Sequence, residues 1–281
     1  MGAVVGGFLM PHDPMIFTNP EAADSQVRER VLGAYAEASR RIVALDPTTL
    51  IIIGTDHYVL FGPGCLPQAL IATGDLEGPL ERLPGMPRQT LPDNGPLARH
   101  LAHHGHMNGV DWAVAHSLTV DHSVAIPYFM VGAEAGLPLV PVYLACGVEP
   151  LIPLRRAAAI GTSIRDAVES WDDSERVVVI GSGGISHWVG TAEMGRVSES
   201  FDRRVLGLVC DGDVDALSRY TDEEIVAQGG NGALELRNFL AAMTAVGAVG
   251  GEVIAYEPVE EWITGLGFVE LLPLGHSVGS V

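Results

Sequence analysis

Ile51-Ile52-Ile53-Gly54-Thr55-Asp56-His57 is the stretch of sequence that decides the fold. Three β-branched residues in a row predict a buried strand, and Gly54 allows the chain to turn sharply where that strand ends. Asp56 and His57 then bring a carboxylate and an imidazole to the carboxyl end of the strand, which is where ligands bind in open α/β sheets. Taken alone, the stretch fits a polar surface loop equally well, so its interpretation depends on the rest of the chain.

Strand-like and helix-like segments alternate on both sides of this stretch, which favours an α/β fold with a central mixed β-sheet flanked by helices. We expect a single domain over residues 1–281, with an active site at the C-terminal ends of the strands and a loose tail at 274–281. Strands are predicted at 3–9, 51–53, 68–73, 137–144, 176–180, 253–256 and 268–272. Helices are predicted at 21–45, 97–104, 154–171, 201–217 and 233–245.

Composition excludes several classes of function. The 281 residues carry a net charge of −19, and the 16 basic residues are all arginine because the sequence contains no lysine. Such a surface should repel nucleic acid and anionic membranes. Without lysine the chain can hold neither a Schiff-base lysine nor the lysine of a phosphate-binding loop.

Cysteine usage and hydropathy point to a cytoplasmic protein. The three cysteines, Cys65, Cys146 and Cys210, are widely spaced, which argues against a disulfide framework and predicts small buried residues in a reducing compartment. The apolar N-terminus lacks the basic residues of a signal peptide, and no apolar run reaches the length of about 18 residues that a membrane span needs.

Histidines recur at predicted strand ends and loops, and one helix start carries a glutamate. Two histidines and one carboxylate form the triad that holds non-haem Fe(II) while leaving coordination positions open. Two open positions can take the vicinal oxygens of a catechol and a third can take O2, and further neutral histidines nearby could move protons. The residues concerned are His12, His57, His122, His187 and Glu235.

The sequence around these residues resembles the class III extradiol ring-cleavage dioxygenases, the family of the catalytic subunit of protocatechuate 4,5-dioxygenase. The resemblance covers nearly the whole chain, and the order and rough spacing of the motifs agree. It rests on Pro11-His12-Asp13-Pro14, Gly54-Thr55-Asp56-His57, Val120-Asp121-His122 followed by Pro127, Gly181-Ser182-Gly183-Gly184-Ile185-Ser186-His187, and Asn231-Gly232-Ala233-Leu234-Glu235. The glycine-rich run before His187 is the most distinctive of these motifs.

The resemblance implies a role for each matching residue. His12, His57 and Glu235 match the iron ligands, His187 matches the base toward a substrate hydroxyl, and His122 matches a second active-site histidine. It further implies an Fe(II) cofactor, an aromatic diol and O2 as substrates, and a homo-oligomer, with room for a small partner subunit. Residues 258–268 resemble the single-component branch that includes 2,3-dihydroxyphenylpropionate 1,2-dioxygenase.

Several alternatives stay open at this point. The same chemistry could act on a 2-aminophenol, because an amine can replace one ring oxygen on iron. Two histidines, a carboxylate and a water also describe a zinc-dependent hydrolase, and a non-catalytic relative would be expected to have lost ligands that this chain retains. Which of His122 and His187 is the acid and which the base is likewise undecided.

Other polar features receive a plainer interpretation. We interpret His100, His103, His104 and His106 as a solvated helix end, whereas His116 could line the pocket. The aperiodic stretch at 75–96 is a candidate specificity lid. Asp56 either orients His57 or a neighbour, as polar groups behind metal ligands do, or it shapes the turn. Asp13 and Pro11 depart from the family pattern and could matter for substrate shape.

Overall fold

The computed structural model describes residues 1–147, 149–171 and 174–274. Its strands are β1 (Ala3–Met10), β2 (Thr49–Gly54), β3 (Ala69–Ala72), β4 (Leu76–Gly78), β5 (Gln89–Leu91), β6 (Ala113–Ala115), β7 (Leu118–Thr119), β8 (Leu139–Leu144), β9 (Arg176–Ser182), β10 (Ala248–Val259) and β11 (Thr264–Pro273). Eight of them form one mixed sheet in the spatial order β10-β11-β1-β9-β2-β8-β3-β6.

The centre of this sheet is parallel and its margins are mixed. β1, β9, β2 and β8 run parallel to one another, whereas β11 pairs antiparallel with β1 and β3 pairs antiparallel with β8. Parallel neighbours need crossover connections, usually helical, that cover the faces of the sheet. The carboxyl ends of the four central strands therefore meet at one edge, and the loops that follow them lie side by side.

Helices cover both faces of the sheet. They are α1 (Met15–Thr18), α2 (Ser25–Ala44), α3 (Gly95–Met107), α4 (His122–Val131), α5 (Leu154–Glu169), α6 (Glu199–Cys210), α7 (Val214–Leu217), α8 (Asp222–Gly229) and α9 (Leu236–Val246). α9 packs on α5, β1 and β9 on one face, and α5 also contacts α3. α2 packs on α4 and on the β10–β11 hairpin, with α4 lying over β2.

The burial of β2 shows how the sheet divides the core. All six of its residues are buried. Ile51 and Ile53 belong to the apolar cluster on the α5–α9 side, whereas Leu50 and Ile52 belong to the cluster on the α2–α4 side. This is why the strand reads as a continuous apolar run rather than an alternating one. Each such side chain contributes about 1.5–3 kcal/mol by leaving water, so the strand end that carries the next loop is firmly anchored.

The fold class is confirmed as α/β with a large mixed central sheet flanked by helices. Two elements differ from the prediction. The region at 75–96 is not a loop throughout, because β4 and β5 lie within it and join β7 in a small sheet ordered β5-β4-β7. Strands of three residues are too short to show a periodic pattern.

The second difference is the predicted helix at 201–217, which is wrong as a single element. It divides into α6 and α7, because Gly212 takes a left-handed backbone (φ +66°) and the Asp213 side chain caps α7. Residues 275–281 of the predicted tail lie outside the described residues, and the extent of the single domain stays a prediction. No helix in the described part of the chain is long and apolar enough to cross a membrane.

Candidate metal centre and substrate pocket

The five side chains predicted from sequence meet at the carboxyl edge of the central sheet. His12, His57 and His187 follow β1, β2 and β9, His122 is the first residue of α4, and Glu235 ends the short 3-10 turn before α9. All five line one cavity of about 400 Å³, a size typical of small-molecule sites. The parallel strands supply three of the loops, and α9 brings the carboxylate from the far part of the chain.

Two histidines point the same ring atom at one carboxylate oxygen. The Nε2 atom of His12 lies 3.3 Å from Glu235 Oε1, and the Nε2 atom of His57 lies 3.2 Å from the same oxygen. The two rings meet edge to face with their centroids 5.0 Å apart. Three candidate ligand atoms therefore converge on one small volume at the wall of the cavity.

The partners of the opposite ring atoms fix the tautomers. The Ser182 hydroxyl donates to the Ser123 carbonyl at 2.6 Å, so it accepts from His12 Nδ1 at 2.8 Å. The Nδ1 of His57 lies 3.2 Å from a carboxylate oxygen of Asp121, which accepts only. In its neutral form each ring thus carries its proton on Nδ1 and can present a lone pair at Nε2 to a metal ion.

This arrangement fits a bound cation. Two imidazole Nε2 atoms that face one carboxylate oxygen at little more than 3 Å need positive charge among them, which a proton supplies in the metal-free protein and which a bound metal ion can supply in its place. The candidate ligand atoms of His12, His57 and His122 also lie within 4.8 Å of one another. Glu235 is the stronger candidate for the third ligand position, because its carboxylate is anionic and both the His12 and His57 Nε2 atoms face one of its oxygens. Nitrogen and oxygen donors of this kind suit Fe(II) or Zn²⁺.

Glu235 supplies the negative charge of the proposed ligand cluster. Burial would raise the pKa of Glu235, but the neighbouring His12 and His57 hold it well below its ordinary value. Burial would likewise lower the pKa of His57, yet hydrogen bonds to Asp121 and Glu235 raise it to about 10. The Gly184 amide donates to Glu235 Oε2 at 3.0 Å. The carboxylate is therefore ionised and oriented before any ligand arrives.

Asp121, rather than Asp56, supports His57. Asp121 is fully buried and also accepts hydrogen bonds from Ser123 and from the Tyr143 hydroxyl at 3.1 Å. Asp56 instead accepts from the backbone amides of residues 59, 60 and 61. Of the two roles considered for Asp56, the structure therefore shows the shaping of the turn. Asp121 belongs to the Val120-Asp121-His122 motif, but the sequence alone did not indicate this role.

His187 packs so closely on the 3-10 turn that one glycine is required there. A Cβ atom at Gly232 would lie 2.0 Å from the His187 ring. The Nε2 atom of His187 is 4.0 Å from Glu235 Oε2, and its buried Nδ1 has no hydrogen-bond partner among the described residues. Burial lowers the pKa of His187, so the ring is neutral near pH 7 and free to accept a proton.

His122 has an acidic partner that the sequence did not reveal. Its Nδ1 lies 2.6 Å from Glu81 Oε1, and Glu81 belongs to the segment between β4 and β5. The His122 ring also lies against the His57 ring, with centroids 4.1 Å apart. Burial lowers the pKa of His122 although Glu81 opposes the shift. The predicted lid region at 75–96 therefore contributes one carboxylate, Glu81, which orients His122.

Several other polar residues lie away from the site. His103 and His106 are exposed on α3, as predicted for a solvated helix end, whereas His100 and His104 are half-buried, so the prediction is wrong for these two. The His100 Nε2 atom lies 3.0 Å from Ser170 Oγ. Within the described ranges no metal-holding group includes the α3 histidines. His116 contacts Thr73 and does not line the cavity.

Of the three free cysteines, Cys146 is buried as predicted and lines the cavity, Cys210 is half-buried, and Cys65 is exposed, so the prediction is wrong for Cys65.

Comparison with known proteins shows which family this chain belongs to. The family model described as the catalytic LigB subunit of aromatic ring-opening dioxygenase matches residues 6–267, which include all five site residues. The chain therefore belongs to this family, as the motifs in its sequence indicated. This family is the class III extradiol group that the sequence motifs resemble.

Curated relatives share most of their length with this chain. It is 26% identical to 2,3-dihydroxyphenylpropionate/2,3-dihydroxicinnamic acid 1,2-dioxygenase of Klebsiella pneumoniae (strain 342), over 92% of this chain and 95% of that protein. The enzyme of the same name from Rhodococcus rhodochrous is 27% identical, over 91% and 94%. The crystal structure of an uncharacterized protein, JW3007, from Escherichia coli K12 superposes with a TM-score of 0.57 at 14% identity, over 95% of this chain and 99% of that one. That likeness shows the shared fold.

Proposed function

We propose that this protein is an Fe(II)-dependent extradiol dioxygenase that opens the ring of a catechol-type substrate with O2. The observation that carries the proposal is the convergence of His12 Nε2 and His57 Nε2 on Glu235 Oε1 at 3.2–3.3 Å, at the wall of the cavity. These three residues would hold the metal. When bound, Fe(II) would supply a redox link between the electron-rich ring and O2 and a template that orients both.

The protein's own part is to position the diol and to handle its protons. His187 and His122 line the same cavity as the ligand cluster, with the His122 ring against His57 and His187 Nε2 4.0 Å from Glu235 Oε2. A neutral imidazole that accepts a proton from a substrate hydroxyl can return it later as an acid. Glu81 holds His122 by its Nδ1, which leaves Nε2 for the substrate. His187, packed against Gly232, has little freedom to turn away.

Reconstitution tests the proposal directly. Protein purified without metal under anaerobic conditions should bind about one Fe(II) per chain, then consume O2 and produce a ring-fission chromophore with catechol. His57→Ala and Glu235→Ala should lose both metal and activity, because each removes one of three ligands. His103→Ala, a substitution of an exposed histidine on α3, is the matched control and should behave as wild type.

The same measurements separate the remaining alternatives. Wild-type protein that binds no iron and consumes no O2 across a broad panel of catechols and 2-aminophenols would overturn the proposal. Tight retention of zinc with no oxygen uptake would favour the zinc-dependent hydrolase instead. Oxygen uptake with 2-aminophenols alone would keep the reaction class and change the substrate.

A further inference from the structure

The wall of the cavity carries acidic side chains and no arginine, and its four histidines belong to the ligand cluster and to the proton-handling pair. Asp13, Asp56 and Glu235 line it, and none of the sixteen arginines, all of which lie in the described ranges, is among the lining residues. Arg237 is close enough to act on the pKa of Cys146 in the cavity wall. However, its guanidinium is fully buried and donates to the Ile152 and Leu234 carbonyls and to Asp222. No guanidinium in the described chain is therefore available to a ligand in this cavity.

Asp13 adds an acceptor that the protein itself does not use. Its side chain is 8% exposed and one oxygen, Oδ1, accepts from the Met15 amide at 2.8 Å. The other oxygen, Oδ2, is buried and has no hydrogen-bond partner among the described residues. Burial raises the pKa of the Asp13 carboxyl to about 6 although the Met15 amide and Thr264 oppose the shift, and no hydrogen bond of normal geometry reaches Oδ2. A buried acceptor left without a donor is costly, so a donor from a ligand in the cavity would relieve that cost.

The lack of an available guanidinium and the unpartnered Asp13 oxygen both indicate which ring substituent the cavity accepts. We infer that the ring substituent of the substrate carries no negative charge and donates a hydrogen bond, through N–H or O–H, to Asp13. A carboxylate in its place would be desolvated beside Asp13 without a cation to pair with, which is strongly unfavourable. Positive charge at the ligand cluster would be balanced by Glu235 and by the ionised diol. The inference rests on the proposed function, and it separates this chain from relatives named for a propionate-bearing diol.

A matched pair of substrates tests the inference. The reconstituted enzyme is offered plain catechol, 3-(2,3-dihydroxyphenyl)propionate and the corresponding propanamide, which differ in charge and in the donor N–H. We expect kcat/KM for the amide to exceed that for the carboxylate by tenfold or more, the ratio expected for one hydrogen bond to a charged group. Dissociation constants measured without O2 should follow the same order.

Substitution of Asp13 tests whether this residue causes the preference for the amide over the carboxylate. In Asp13→Asn the amide-to-carboxylate ratio should fall about tenfold, because the negative charge is lost while the shape is kept. Asp24→Asn, an exposed aspartate at the start of α2, is the matched control and should keep the wild-type ratio. The wild-type preference is a test that does not depend on whether the Asp13 variant folds.

The outcomes are distinguishable. A wild-type enzyme that opens plain catechol but prefers the carboxylate, for example because an oligomeric neighbour supplies a cation, would overturn this inference and leave the proposed function intact. An unchanged ratio in folded Asp13→Asn would overturn the assignment to Asp13. Failure to open any of the diols would overturn the proposed function itself.

Discussion

Asp121 is a buried carboxylate behind His57, one of the proposed metal ligands. It holds the Nδ1 of His57 while Ser123 and Tyr143 hold Asp121 in turn. Burial would raise the pKa of Asp121, but the hydrogen bond from His57 keeps it below its ordinary value, so the carboxylate is ionised. Such partners orient metal-binding histidines and increase their basicity.

We therefore expect Asp121→Asn to bind Fe(II) about 10–100-fold more weakly than wild type. The Asn side chain keeps the shape of Asp121 but has one acceptor oxygen and no charge. It cannot accept from Ser123 and Tyr143 and at the same time accept from His57 Nδ1, which fixes the His57 tautomer. The measurement is an anaerobic Fe(II) titration, with activity partly restored by excess metal. Unchanged metal affinity in the folded variant would show that Asp121 serves the fold alone.

Glu81 should affect proton handling without affecting the metal. Glu81→Gln is expected to lower kcat about tenfold, less than the roughly 10²–10⁴-fold of a whole acid–base contribution, because His122 stays in place but loses the anion that orients it at 2.6 Å. Metal content should stay at the wild-type level. Glu77→Gln is the matched control, since Glu77 lies in the same small sheet but pairs with Arg88 at the surface. A drop in bound iron in Glu81→Gln would contradict this division of roles.

At the level of elements, the contact between α6 and the β10–β11 hairpin contains a buried acid. Asp202 is fully buried on α6 and accepts from the Tyr256 hydroxyl at 2.7 Å, while its other oxygen, Oδ1, has no hydrogen-bond partner among the described residues. A Cβ atom at Gly265 would lie 1.9 Å from the carboxyl, so the strand is tightly closed over it. Burial raises the pKa of Asp202 to about 6.

This acid makes the stability depend on pH. The pKa of Asp202 in the folded state lies above its unfolded value of 3.8, so the free energy of unfolding falls as the pH rises from about 4 through 6. Asp202→Asn cannot ionise and should gain up to about 3 kcal/mol relative to wild type between pH 4 and pH 7. Urea unfolding at the two pH values measures the change, with exposed Asp211→Asn as control. A difference that does not vary with pH would contradict the expectation.

The elements also show what the sequence could reveal. Ile51–Ile53 and the glycine run before His187 predicted buried strands followed by site residues, because strand, turn and histidine are contiguous in the chain. Glu81 and Asp121 could not be predicted as partners of His122 and His57, since each contact depends on how separate loops meet. The three-residue strands of the small sheet exist only through their pairing, which local pattern does not encode. The homo-oligomer implied by the resemblance stays a prediction.

For the whole molecule, the proposed metal would add a link between parts of the fold that already meet through packing and hydrogen bonds. A ligand that binds only the folded state stabilises it by about 2.7 kcal/mol at a hundred times its Kd. For a domain of this size that corresponds to a rise in Tm of about 5–10 °C. Anaerobic thermal unfolding with and without Fe(II) should show the rise in wild type and in His103→Ala, and not in His57→Ala. An equal rise in His57→Ala would mean that the stabilising metal binds elsewhere.

The distance along the chain between the ligands has a consequence for assembly. His12 follows the first strand, whereas Glu235 precedes the last helix, and the two meet only when β1 and α9 are packed on the same sheet. Contacts so remote in sequence form late, because the intervening chain must first be ordered. Iron would then be loaded into a nearly finished protein rather than guide its folding. Supply of the metal would then set how much of the folded protein is active and would further stabilise that folded state, rather than direct the chain to it.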